Sequence, residues 1–212
     1  MKNTFLVKIA LLSAVLIITG CASKPRQLMP TPLIYQDPGS ISAVVKYEES
    51  RGSSTDVDLL YITNRARESD SESLLPYGQT RSSSVAFGSA RVQIGPDVSW
   101  DSLDRESRMA VRTRDLDLSL GKVKEIGRFP AEPYIVEVRA DGLYRSAADM
   151  RAHYQAKDIF QAELEKRLAR SKTKDVIVYV HGFNETFASA AYTAAELCHF
   201  LGRESVCALY TW

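Results

Sequence analysis

The clearest ordering of apolar and polar positions lies between residues 175 and 212. Asp175-Val176-Ile177-Val178-Tyr179-Val180 is a continuous β-branched and aromatic run, the pattern of a strand covered on both faces in a parallel sheet. His181-Gly182-Phe183-Asn184 then reads as a sharp turn. Beyond it Phe187, Ala190, Ala191, Ala194, Leu197, Cys198 and Leu201 recur at helical spacing along one side, and Gly202 stands where a C-terminal cap belongs. Val206 to Trp212 is the next apolar strand. Strand, turn, helix and strand make a βαβ unit, which places the chain in the α/β class.

Upstream the signals are weaker. Ala156, Phe160, Leu164 and Leu168 recur every four residues among charges, predicting a helix over 147–170 with one apolar stripe. Ser146 followed by Asp149 resembles a capping box at its start. Asp56 to Thr63 predicts a strand, Asn64 to Gln79 a polar loop, and Val85 to Ile94 a second strand closed by Gly95-Pro96. Trp100 to Leu120 has no sustained period, and Tyr134 to Val138 predicts a third strand. Between Ala22 and Thr55, four prolines and several serines break any periodicity, as in an extended tether, with a short ordered piece at Ser42 to Tyr47.

The first residues are of a different kind. Lys2 and Lys8 precede Ile9 to Ile18, a ten-residue run that is apolar except for Ser13. A helix needs about 20 residues to span a bilayer, so the run reads as the core of an export signal. The following Ile18-Thr19-Gly20-Cys21 resembles the lipobox of bacterial lipoproteins. That resemblance implies cleavage before Cys21, acylation of its sulfur and new amino group, and attachment to a lipid bilayer. Ala22, where an Asp would favour retention at the inner membrane, implies the periplasmic face of the outer membrane. The expected layout is a signal peptide at 1–20, an acylated Cys21 and tether over 21–55, and a folded part over 56–212.

Composition adds limits. The chain has 212 residues, 45% hydrophobic and 25% charged, with a net charge of +1 that becomes −1 once Lys2 and Lys8 are removed. Without a basic cluster it lacks the surface that binds nucleic acid. Export leads to an oxidising compartment. Cys198 and Cys207 are then either a disulfide pair or two small buried apolar residues, and the sequence leaves both open.

A buried strand running into His-Gly and an Ala-rich helix resembles the third strand and oxyanion loop of α/β-hydrolases. Tyr179-Val180-His181-Gly182-Phe183-Asn184-Glu185-Thr186-Phe187, together with Tyr61-Ile62-Thr63-Asn64-Arg65 and Ala86-Phe87-Gly88, resembles an uncharacterised bacterial branch catalogued as domain of unknown function nine-hundred. The resemblance implies an esterase or lipase type of acyl hydrolase, without a cofactor. The backbone N–H of Phe183 would meet the substrate oxyanion, and Gly182 would allow close approach and a sharp turn. His181 and Asn184 would brace the loop.

The same resemblance requires a serine on a Gly-x-Ser-x-Gly elbow, and no two of the 11 glycines enclose a serine at that spacing. Ser189 falls inside the helix and Ser205 in a turn. His153 and His199 lack partners at the short paired spacings of zinc sites, so no metal is expected. The sequence therefore reads as the N-terminal part of an α/β-hydrolase-like fold, truncated before the elbow and silent by itself, with a small ester as substrate only in a fuller form. A non-catalytic anchored module of the envelope is the alternative. In either case residues 206–212 would lie at a sheet edge. Oligomeric state is not encoded in any pattern found.

Overall fold

A computed structural model describes residues 25–35, 54–68 and 76–212. The signal, Cys21 and the piece at Ser42 to Tyr47 lie outside the described residues. The centre is a five-stranded sheet in the order β3-β2-β1-β7-β6. Its strands are β1 (Asp56–Arg67), β2 (Tyr77–Ile94), β3 (Leu118–Arg128), β6 (Val176–Val180) and β7 (Val206–Thr211). β1 pairs antiparallel with β2 and β2 with β3, whereas β7 pairs parallel with both β1 and β6. Only β2 runs against the others, so the sheet is mixed but mostly of one direction.

Among the described residues three α-helices complete the α/β fold: α1 (Trp100–Arg108), α2 (Ala147–Arg170) and α3 (Phe187–Phe200). α3 lays Phe187, Ala190, Ala191, Ala194 and Ala195 against the sheet face formed by Leu59, Tyr61 and Leu209, all buried. Small alanines let the helix axis approach closely, and Phe187 packs edge-on to Tyr61 at 5.3 Å between centroids. α2 packs against the sheet through Phe160, whose ring meets Phe87 at 5.2 Å, and Arg167, which pairs with Asp58 at 3.2 Å.

Several expectations need correction. β7 is not an edge but the middle of the parallel part, because its residues are apolar at both alternations and so must be covered on both faces. The edge is β6, which was expected to be covered on both sides. Ile177 and Tyr179 lie against the α3 region, while Val178 and Val180 are each 55% exposed. The predicted loop 64–79 is shorter, because β1 continues to Arg67 through two register irregularities and β2 begins at Tyr77. The stretch 100–120 holds α1 and the start of β3. α1 was illegible because its buried side is Leu103, Glu106 and Ser107, two of them polar. The expected third strand is instead β4 (Val136–Arg139), paired with β5 (Gly142–Arg145) in a separate hairpin. At α2, Ser146 Oγ accepts from the amides of Ala148 and Asp149, but the Asp149 carboxylate takes the amide of Ile135 at 2.9 Å rather than closing a box.

Residues 25–35, expected within a tether, are part of the domain. Leu28 and Tyr35 are buried, the Leu28 amide donates to Leu116, and Leu118 donates to Arg26. The buried Glu196 carboxylate accepts from Arg26 Nη2 at 2.8 Å and from the Met29 amide at 2.7 Å. Arg112 fastens the same segment by donating to the carbonyls of Leu28 (2.7 Å) and Met29 (2.6 Å). Prolines signalled an extended chain correctly, but an extended chain can dock as well as dangle.

Cys198, near the end of α3, and Cys207, near the start of β7, form a disulfide with their Cα atoms 6.0 Å apart. It lies at the end of the sheet where the parallel strands begin. The loop discussed next lies at the other end.

Candidate functional site

Along β1, Val57, Leu59, Tyr61, Thr63 and Arg65 share one face by the period of two, so an arginine is carried inward at the carboxyl end of the strand. Arg65 is only 2% exposed. Its Nε donates to Thr211 Oγ1 of β7 (2.7 Å), Nη1 to the Gly78 carbonyl of β2 (3.1 Å) and Nη2 to the Glu185 carbonyl (2.5 Å). One planar fork thus ties three strands to the loop that follows β6. Burial, and then the neighbouring Arg81, lower its pKa below the ordinary arginine value.

His181 opens that loop and is buried. Its Nδ1 donates to the Gly182 carbonyl (2.6 Å), while Nε2 accepts from the Trp212 amide (2.9 Å) and lies 3.4 Å from Arg65 Nη2. The ring is therefore neutral with its proton on Nδ1, and its lone pair is already taken. It stacks on Trp212 at 5.3 Å and 16°, and Arg81 covers the indole at 4.8 Å. A histidine so engaged fixes a loop and does not shuttle protons.

Beyond it the loop is open. Phe183 is 91% exposed, and a Cβ on Gly182 would find no atom within 4 Å. Gly182 is not at positive φ; the left-handed step is at Asn184 (φ 60°), so the turn is made there rather than at the glycine. The next turn is fixed by a capping box in which Thr186 Oγ1 accepts from the Ser189 amide and Ser189 Oγ from the Thr186 amide. On the opposite face of β1 from Arg65, Asn64 Oδ1 is buried with no donor among the described residues.

The structure brings His181, Gly182, Phe183 and Asn184 together on the clamp. Cys198 and Cys207 stand apart from it. Sequence reasoning missed Arg65, Thr211, Trp212 and Arg81. The inward alternation of β1 was the available signal for Arg65, while the others depended on knowing that β7 lies beside β1.

No described serine is set up as a nucleophile. Ser189 caps α3 and also donates to Glu185, and Ser205 bonds Thr173. Ser107 Oγ lies 2.7 Å from His199 Nε2, the spacing of a catalytic pair. However, Arg203 donates to His199 Nδ1 at 2.8 Å, so Nδ1 is the acceptor and Nε2 carries the proton toward Ser107. This tautomer cannot take a proton from serine, and the pair is a cross-link between α1 and α3. His153 accepts or donates with the Tyr134 hydroxyl at 2.7 Å. Among the described residues no group of three or more His, Cys, Asp or Glu could hold a metal ion.

Burial, then Arg203 and Arg112, hold the His199 pKa well below its usual 6.5. Below that pH the unfolded chain takes up a proton the folded one refuses. The contribution is therefore fully present above the unfolded value and declines as pH falls, at about 1.4 kcal/mol per pH unit. Urea midpoints between about pH 6.5 and 5 should show this slope, and H199Q should flatten it. An unchanged slope in the variant would assign it to other groups.

The chain was compared with curated proteins and with solved structures, and nothing in either matches it. Residues 156–212, from within α2 through β6, the loop, α3 and β7, match the model of the family described as alpha/beta hydrolase of unknown function (DUF900).

Proposed function

We propose that this is an envelope lipoprotein, anchored through Cys21 at the periplasmic face of the outer membrane, whose His181–Asn184 loop forms the oxyanion side of a serine acyl-hydrolase site. The observation that carries the reading is the clamped yet open loop, with Arg65 and His181 buried beneath it and Gly182 and Phe183 exposed above. A preformed loop loses no entropy when a substrate carbonyl arrives, and one backbone N–H aimed at an oxyanion is worth about 2.7–4 kcal/mol in the transition state. The open space over Gly182 admits an ester carbonyl. The described residues offer no activated serine, so the reaction needs a nucleophile supplied from outside them. No helix of the described residues is long and apolar enough to cross a membrane. A lipid anchor is compatible with that.

The test is the protein isolated from its native membrane, analysed by intact mass and by labelling with a fluorophosphonate. The expected result is acyl mass on Cys21 and a label on a serine in the same polypeptide. A chain with acyl mass, no label and no hydrolysis of p-nitrophenyl acetate would sink the hydrolase reading. The non-catalytic module, favoured by the lack of a Gly-x-Ser-x-Gly in this sequence, would then stand.

A further inference from the structure

Two arginines of the described residues, Arg65 and Arg167, are buried, and they are neutralised differently. Arg167 is held by two carboxylates, Glu163 at 2.8 Å and Asp58 at 3.2 Å. Arg65 has none within ion-pair distance, since its acceptors are a hydroxyl and two carbonyls. A buried charge is ordinarily paired with an opposite one. Glu185, the acid whose charge reaches Arg65, takes a hydrogen bond from Ser189 Oγ, and the exposed Glu68 lies beside Gly78.

A second cation stands across from it. Arg81 is opposite Arg65 in the β1–β2 ladder, is exposed, and makes no ion pair or hydrogen bond among the described residues. Its guanidinium lies on the indole of Trp212 at 4.8 Å, and that indole stacks on His181, the first residue of the loop. Stacking engages the face of a guanidinium and leaves its N–H groups, which lie in the plane, free to donate outward. α3 begins at Phe187, just past the loop, and the positive end of this 14-residue helix adds to the field. Two cations lacking a carboxylate, one of them fixed by burial, stand on an aromatic stack that ends in the loop itself.

We propose that Arg81, seated on Trp212, is the subsite for an oxyanionic group, a carboxylate or a phosphate, and that the ester taken at the His181–Asn184 loop carries one. Arg81 donates to the anion through its planar fork, and Arg65 contributes charge from within the fold without touching it. The ester rests on the hydrolase reading above. The anion site does not, because binding needs no nucleophile.

The test titrates the full chain, isolated from its native membrane in neutral detergent, with succinate and with inorganic phosphate. Sodium chloride holds the ionic strength constant, and tryptophan emission is followed, with Trp212 as the reporter and Trp100 as background. A saturable change is expected, with the tighter of the two ligands naming the acid group. R81Q should weaken it roughly tenfold or more, R81K should keep part of it, and W212F, which leaves a ring on His181, should remove the signal. No saturable change in the parent chain, or an equal affinity in an R81Q chain with the parent's circular dichroism, overturns the subsite. Arg81-dependent binding in a chain that takes no fluorophosphonate label supports the anion site and overturns the hydrolase reading. A label without anion binding does the reverse.

Discussion

Replacing Arg65 with alanine should cost about 3–5 kcal/mol of stability, since three acceptors, Thr211 Oγ1 and the carbonyls of Gly78 and Glu185, lose their donor in a closed space and each costs about 1 kcal/mol or more. No water easily replaces a planar donor that reaches β1, β2, β7 and the loop at once. Lysine, with a single point of charge, should recover only a minor part. Urea unfolding measures the loss, and hydrogen exchange should show the amides of residues 181–186 opening first. A loss under about 1 kcal/mol would mean that the loop holds its shape without the clamp.

Gly88→Ala should be comparably severe, about 3 kcal/mol or more, through overpacking. A Cβ there would stand 2.1 Å from the Lys124 carbonyl oxygen and 2.7 Å from the Tyr61 hydroxyl. Neither can retreat cheaply. Lys124 belongs to the adjoining strand, and Tyr61 is held by a relay in which it donates to Tyr77 (2.9 Å) and Tyr77 donates to Glu125 (2.7 Å). Arg128 grips that carboxylate through two bonds of 2.9 Å. Burial pushes the Tyr61 hydroxyl up to about 12, so the relay stays protonated at any ordinary pH. Gly182→Ala, with nothing within 4 Å, should stay within about 0.5 kcal/mol. Thermal midpoints of the two variants separate a glycine the fold needs from one that only a ligand would notice. Equal losses would refute the distinction.

The βαβ unit was legible because burial on both faces writes a continuous apolar run, and the Ala-rich face of α3 is written just as openly. Which strand ended up in the middle was not legible. Val176–Val180 and Val206–Thr211 are alike in composition, and only the pairing of β7 with β1, about 150 residues earlier, separates them. α1 and β3 were missed because their contacts are polar or lie at an edge, where Lys122 and Lys124 look like loop residues. In the candidate site the sequence pointed to the loop but not to the buried arginine beneath it. A single inward cation has no periodic signature unless the strand's alternation is followed to its end.

The central place of β7 also sets an order in time. The core cannot close around β1 until residues 206–211 exist, and Glu196 cannot receive Arg26 until 170 residues separate them along the finished chain. Ribosomes add roughly 5–20 residues per second. For roughly 6–23 seconds, then, the growing chain has β1 and β2 but no partner for the open side of β1. Contacts this distant in sequence form slowly. A polypeptide that stays unfolded while it is being made is one that can be threaded through an export channel before its structure forbids it.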